Sequence, residues 1–371
     1  MRINTITCHN VYNYGASLQA YALQRFLEIQ GNDVEIINYM PNYLSFHYRI
    51  STYISADEYR YKPSLKHFYV RLLFAIYRYL RSLNGLPRKR SFDSFTSQYL
   101  KLTRKYTNYK QLVSRPPVAD VYIAGSDQIW NSKYMENGKD PAFYLNFIKS
   151  KPKFSFAASF GANEMDDGLK PLIKDWLSKF NAISVRESSG AEILNSLGIQ
   201  SMVVCDPVFL LDIKQWMAIY RKVLSGRFLL IYNIGPINNN IVQMAKKIAK
   251  ERKLTIVSIK DKYKVEGADI YIDNAGPCEF VSLIMDAEFV LSNSFHATAF
   301  SIIFSKQFYT FTFNNINSSS RMTNLLNNMH LKHRFDPSVE DPIDTINYMD
   351  VMATLSTYKQ EGKDWLLSKL K

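Results

Sequence analysis

The sequence predicts an α/β protein built from two doubly wound, Rossmann-like domains that face a cleft. Apolar strand-like runs alternate with helix-periodic stretches in both halves of the chain. Its 371 residues exceed one typical core and suit two domains of roughly 150–200 residues each. Residues able to do chemistry recur just after the strands, at the sheet edge where α/β folds bind ligands. The expected division is 1–180 for the first domain and 181–347 for the second, with a final helix in 348–371 returning across the first.

The first strand runs from Ile3 to Cys8 and opens into a polar loop, His9 to Ser17, that holds Asn13 and Gly15. Apolar residues at helical spacing follow from Leu18 to Gln30, Gly31 stops them, and Val34 to Ile37 is the next strand. This is a βαβ unit without a GxGxxG or Walker pattern, so no particular nucleotide is implied. Between 41 and 115 the pattern is irregular. A stripe from Leu65 to Leu83, flanked by Lys66, Arg71, Arg78 and Arg81, suits either packing on a domain, the commoner use, or lying on an anionic bilayer.

Val121 to Ala124 is a strand that ends in Gly125-Ser126-Asp127. Asp127 either takes a proton from a sugar hydroxyl or caps a helical turn. Trp130 either stacks on a sugar or fills core. Strands at Phe154 to Gly161 and Ala182 to Glu187 follow, the second emitting Arg186 at its end. Arg186 either grips a phosphate or carboxylate bidentately or pairs with Glu187 or Asp206. Met202 to Pro207 is the next strand, closed by Asp206-Pro207.

In the second half, strands at Arg227–Asn233, Leu254–Ile259 and Lys306–Phe313 alternate with helices at Asn238–Glu251 and Glu279–Met285. Phe289 to Leu291 reads as a buried strand that breaks into the turn Ser292-Asn293-Ser294, after which an apolar helix runs from Phe295 to Phe304. Such a helix start points unpaired amides past the strand end, which suits an anion. His296 lies in that first turn, beside the Ser294 hydroxyl, where it either donates to an anion and shuttles a proton or merely packs. Arg321 falls at another helix start, after the loop beginning at Asn314.

Lys and Arg number 46 against 33 Asp and Glu, a net charge of +13 that favours anionic partners: a membrane surface, a phosphorylated small molecule or nucleic acid. No base-reading motif is present, so nucleic acid is not expected as a partner. Cys8, Cys205 and Cys278 are far apart and odd in number, with no CxxC pair and no disulfide framework, which points to a reducing compartment. No stretch approaches the ~20 apolar residues of a membrane span. The start of the chain lacks a signal-peptide pattern. The expected location is the cytoplasm, with peripheral contact at the inner face of an anionic membrane.

Taken together, Asn13-Tyr-Gly-Ala-Ser-Leu-Gln-Ala-Tyr-Ala-Leu23, Ala124-Gly-Ser-Asp-Gln-Ile-Trp-Asn131, Ser184-Val-Arg-Glu187, Asp206-Pro207, Ser292-Asn-Ser-Phe-His-Ala297 and Ser320-Arg321 resemble the polysaccharide pyruvyl transferase family, in order. The resemblance implies a fold similar to GT-B glycosyltransferases and no cofactor or metal. The expected reaction moves the carboxyvinyl unit of the co-substrate phosphoenolpyruvate onto two hydroxyls of a sugar in a surface polysaccharide or its lipid-linked precursor, forming a ketal and releasing phosphate.

The family's arginine and histidine map onto Arg186 and His296. Some members carry Arg two residues before the histidine. Here that position is Ser294, and Arg321 supplies the missing charge. With Arg186 and His296 placed by the resemblance and the others by the residue reading, the expected catalytic groups are His296, Asp127 and Arg186, and the expected donor-binding groups are Arg186, Ser294, His296 and Arg321. Asn13, Gly15, Ser126 and Trp130 would line the acceptor side of the cleft. The rival readings are a nucleotide-sugar glycosyltransferase on the same scaffold and a non-catalytic subunit of polysaccharide assembly.

Overall fold

The computed structural model describes residues 1–44, 86–132, 136–260, 263–312 and 320–371. The amphipathic stripe at 65–83 and the loop at 314–319 lie outside the described residues. The first sheet holds β1 (Arg2–Ile6), β2 (Asp33–Ile36), β3 (Val121–Ala124), β4 (Lys153–Ala158), β5 (Ala182–Val185) and β6 (Met202–Val203). Its order is β2-β1-β3-β4-β5-β6, and every pairing is parallel. The second sheet holds β7 (Phe228–Tyr232), β8 (Thr255–Ile259), β9 (Ile270–Ile272), β10 (Phe289–Ser292) and β11 (Gln307–Thr310), in parallel order β11-β10-β7-β8-β9. Strands in such sheets are covered on both faces, which is why β4 and β7 are buried at every position.

The helices are α1 (Tyr14–Ile29), α2 (Leu86–Tyr99), α3 (Tyr109–Ser114), α4 (Lys170–Leu177), α5 (Ser188–Ser196), α6 (Ile213–Trp216), α7 (Asn239–Arg252), α8 (Pro277–Asp286), α9 (Phe295–Ile303), α10 (Ser320–Asn328) and α11 (Tyr348–Ser368). The two-domain α/β architecture is the one the alternation predicts. The boundary is not. β5 and β6 lie past residue 180 yet complete the first sheet, so the second domain begins after β6. The alternating pattern marks strands without saying which sheet they join.

α1 starts four residues before its apolar stripe because Asn13, in extended conformation, caps it by accepting from the Ala16 amide at 3.2 Å. The helix is buried nearly all round because it lies between the domains. Tyr14 stacks on Phe280 of α8, centroids 4.3 Å apart, and donates to the Ala275 carbonyl at 2.9 Å. α11 joins both domains. Its Tyr348 hydroxyl donates to the Lys306 carbonyl beside β11, while Trp365 lies 6.2 Å from Phe156 of β4. No helix among the described residues is long and apolar enough to cross a membrane.

Candidate active site

The carboxyl ends of the two sheets face each other, and a cavity of ≈ 300 Å³ lies between them. From the first domain it is lined by Cys8, Asn13, Asp127 and Gln128; from the second by Asn293, Ser294, His296 and Arg321.

On the second-domain side, Asn293 ties the ends of β10 and β7 together, accepting from the Ile234 amide at 2.7 Å and donating to the Ile234 carbonyl at 2.9 Å. Ser294 is the N-cap of α9, but its side chain makes no capping bond. The first-turn amides therefore keep their affinity for an anion. His296 follows in that turn, 7% exposed. Its ring lies against Gly15 in the first turn of α1, so closely that a Cβ there would sit 1.9 Å from Nδ1. Gly15 is the position where two domains meet ring to backbone, and only glycine admits it.

Asp127 adopts φ +70°, a left-handed conformation that Asp tolerates. Its carbonyl accepts from the Ile129 amide at 2.8 Å and the Ser159 amide at 3.0 Å, which fixes the turn. It caps no helix. Its carboxylate lies 3.6 Å from Nη2 of Arg186.

Arg186, 4% exposed, sits among three acids: Asp206 at 2.6 Å, Asp127 at 3.6 Å and Glu187 at 3.8 Å. Its guanidinium also lies 4.9 Å from the centre of the Phe295 ring. Nε and Nη2 have no hydrogen-bond partner among the described residues. Asp206 is wholly buried. Its Oδ1 accepts from the Val208 amide at 3.0 Å, while Oδ2 faces Arg186 and, at 3.5 Å, Nε2 of His296. Burial works to raise the Asp206 pKa, but His296 and Arg186 outweigh it and hold the carboxyl well below the usual range.

Arg321 is matched differently. The Gln128 amide, turned so that its oxygen faces the guanidinium, accepts from Nη1 and Nη2 at 2.9 and 2.8 Å. Burial, and then repulsion from Arg186, lower its pKa to about 10, so it remains cationic at neutral pH. With a neutral amide for a partner, Arg321 retains its charge for a ligand, whereas the charge of Arg186 is already met by acids.

Several expected site residues fall elsewhere. Trp130 does not line the cleft: it is fully buried, stacks on Tyr144 at 5.6 Å and donates to the Phe143 carbonyl at 3.1 Å. Ser126 is likewise fully buried, its amide held by Gln19 at 3.0 Å and its hydroxyl by the Ala157 carbonyl at 2.7 Å, so it supports the Asp127 turn from beneath. Arg186 does not line the cavity either. It faces a neighbouring recess, which Phe295 and Arg321 also line, and the ion-pair alternative for it is the one realised. Sequence reasoning gave no role to Gln128 and saw Asp206 as a strand-end residue and a partner for Arg186, but not as the partner of His296. The signal for Asp206 was its place at a strand end directly before a proline. Among the described residues no group of His, Cys, Asp and Glu is arranged to hold a metal.

The fold and the cavity together define a two-domain α/β protein with a small cavity between facing sheet ends, beside a histidine–carboxylate pair. The chain belongs to the polysaccharide pyruvyl transferase family, whose model matches residues 13–315. It is therefore a transferase enzyme, of a family that acts on glycans. No curated protein matches it. Among solved structures it is similar to the UDP-GlcNAc 2-epimerase of Methanocaldococcus jannaschii, at 12% identity and TM-score 0.47, covering 97% of this chain and 93% of that one. It is similar also to the UDP-N-acetylglucosamine 2-epimerase of Rickettsia bellii, at 10% identity and TM-score 0.47, covering 100% and 96%. A third is the glycosyltransferase SnogD of Streptomyces nogalater, at 10% identity and TM-score 0.43, covering 98% and 95%. At such scores none of the three informs the chemistry of this chain.

Proposed function

We propose that the protein transfers the carboxyvinyl unit of phosphoenolpyruvate to two hydroxyls of one sugar in a surface polysaccharide or its lipid-linked precursor. The observation that carries this reading is a small cavity holding Arg321, the uncapped start of α9 and the His296–Asp206 pair. Arg321 and the α9 amides bind the donor's phosphate and carboxylate. Arg186 holds Asp206, and Asp206 orients His296, in the way a buried carboxylate sets an imidazole for proton transfer.

His296 gives a proton to the donor methylene, which becomes a methyl group, and C2 turns electrophilic. One sugar hydroxyl adds to C2 and loses its proton to Asp127. A second hydroxyl of the same sugar then forms the other C–O bond and returns its proton to His296, while the C2–O bond to phosphate breaks and Asp127 passes its proton to the departing phosphate. The products are the cyclic ketal and inorganic phosphate. The donor is a co-substrate, and the scheme draws on no cofactor. The buried thiols of Cys8, Cys205 and Cys278 suit a reducing compartment, so we place the enzyme in the cytoplasm, at the inner face of the membrane when its acceptor is lipid-linked.

A thermal-shift series tests the donor. A ligand that binds only the folded state raises Tm, so phosphoenolpyruvate is expected to raise it while UDP- and GDP-sugars leave it unchanged. A rise with a nucleotide sugar and none with phosphoenolpyruvate would overturn the reading.

A further inference from the structure

On the opposite edge of the first sheet lies a second recess, of ≈ 540 Å³, lined by Asn146, Ile148, Ser150, Pro152 and Asn181 and by four lysines, Lys149, Lys151, Lys153 and Lys179. No acid lines it. Lys153 opens β4, and Asn181, just before β5, accepts from the Lys153 amide at 2.9 Å. The recess is thus at the amino ends of strands whose carboxyl ends lead to the catalytic cavity. Four to six strand residues at ~3.3 Å each put the two regions roughly 13–20 Å apart.

Lys153 is unusual. It is 5% exposed, and among the described residues its ammonium donates to the carbonyls of Ile148 at 3.2 Å and Leu145 at 3.4 Å, with the Phe180 ring 5.8 Å away. Burial, and then the charges of Lys179 and Lys149, depress its pKa to about 8. Lys179 is partly matched by Asp175 at 2.6 Å. Lys149 and Lys151 are exposed and carry no ion pair among the described residues. Lys149, Lys151 and Lys153 line one concave surface without an acid partner among the described residues, and a multivalent anion seated there would relieve the repulsion that Lys153 feels and accept from several ammonium groups at once.

We infer that this lysine-lined recess is a binding site for a phosphate-bearing ligand, separate from the catalytic cavity. The phosphate comes either from a lipid headgroup at a membrane surface or from a free phosphorylated molecule. The inference does not depend on the pyruvyl-transfer reading, because it concerns different residues on the other edge of the sheet.

The test uses the full chain carrying Arg321→Ala, so that the catalytic cavity contributes little anion binding. Two probes are compared: inorganic diphosphate by calorimetry, and co-sedimentation with phosphatidylcholine vesicles with and without phosphatidylglycerol. Each surface lysine contributes about fivefold in affinity for an anionic partner, so Lys149→Ala with Lys151→Ala is expected to weaken binding about twenty-five-fold, with Tm unchanged. In an otherwise natural chain the same pair leaves turnover of a soluble acceptor unchanged. Diphosphate binding that the double variant loses supports a free phosphorylated ligand. Binding only to phosphatidylglycerol vesicles, lost in the same variant, supports a lipid headgroup. Failure of both probes to bind, or equal binding by the double variant, overturns the inference.

Discussion

Gly15→Ala adds a single methyl group to a surface that has no room for it. The new Cβ would stand 1.9 Å from Nδ1, 2.3 Å from Cε1 and 2.5 Å from Cγ of His296. Contacts under 3.0 Å are essentially never seen for a real Cβ, so the imidazole or the start of α1 must retreat by more than an ångström. α1 resists, being pinned by the Tyr14 stack on Phe280 and the Tyr14 bond to the Ala275 carbonyl. The imidazole therefore moves, and it leaves Asp206. Misplacing a catalytic group by about 1 Å costs about 10²-fold in rate. Steady-state kcat with phosphoenolpyruvate and an accepted glycan is expected to fall by that order, with Tm little changed. Gly168→Ala is the control: its nearest neighbour, Asp166 Oδ1, is at 3.4 Å, and its rate should match wild type. If Gly15→Ala turns over at the wild-type rate, either His296 is not the proton donor or α1 does not fix its position.

Arg321→Ala removes the cation that a neutral amide leaves available, and charge-assisted hydrogen bonds contribute about 1.5–3 kcal/mol. Affinity for phosphoenolpyruvate should fall by about one to two orders of magnitude, read as a lost thermal shift, with unliganded Tm preserved. Asp206→Asn breaks a buried ion pair, which costs about 3–5 kcal/mol. Asp127 and Glu187 remain near Arg186, so the low end is expected by urea denaturation at neutral pH. The sign with pH follows from the depressed Asp206 pKa. Its stabilisation is complete above the unfolded value of about 4 and is lost as pH falls through the folded value, so wild type and Asp206→Asn should converge in acid.

The fold was legible wherever periodicity was strong. β3, β7, β10 and the helices at Asn239 and Phe295 fall within a residue or two of their sequence-predicted ranges. Short or exposed elements were not: β9 is three partly exposed residues, and the predicted strand at Met202 to Pro207 shrinks to the two exposed residues of β6. The periodicity of α1 begins at Leu18 because Asn13 to Ser17 reads as turn chemistry, and only the structure reveals Asn13 as a cap.

In the site, residue types and their positions at strand ends and helix starts singled out His296, Asp127 and Arg321, which line one cavity. Spacing offered Asp206 as one partner for Arg186, but the approach of His296 to the same carboxylate depends on how β5, β6 and α9 meet in space, so that contact was beyond its reach. Trp130 illustrates the reverse limit. An indole beside a glycine turn suits a sugar platform, but here the hydrophobic effect places it among Tyr144, Phe160 and Phe180.

The central claim is tested most directly by incubating the enzyme with phosphoenolpyruvate and a panel of glycan acceptors, following free phosphate and the mass of the glycan together. Phosphate release that requires an acceptor, matched by a glycan heavier by one pyruvate ketal and abolished in a folded His296→Ala variant, is the predicted result. Phosphate released equally without an acceptor, or an acceptor modified only when a nucleotide sugar is supplied, would contradict it.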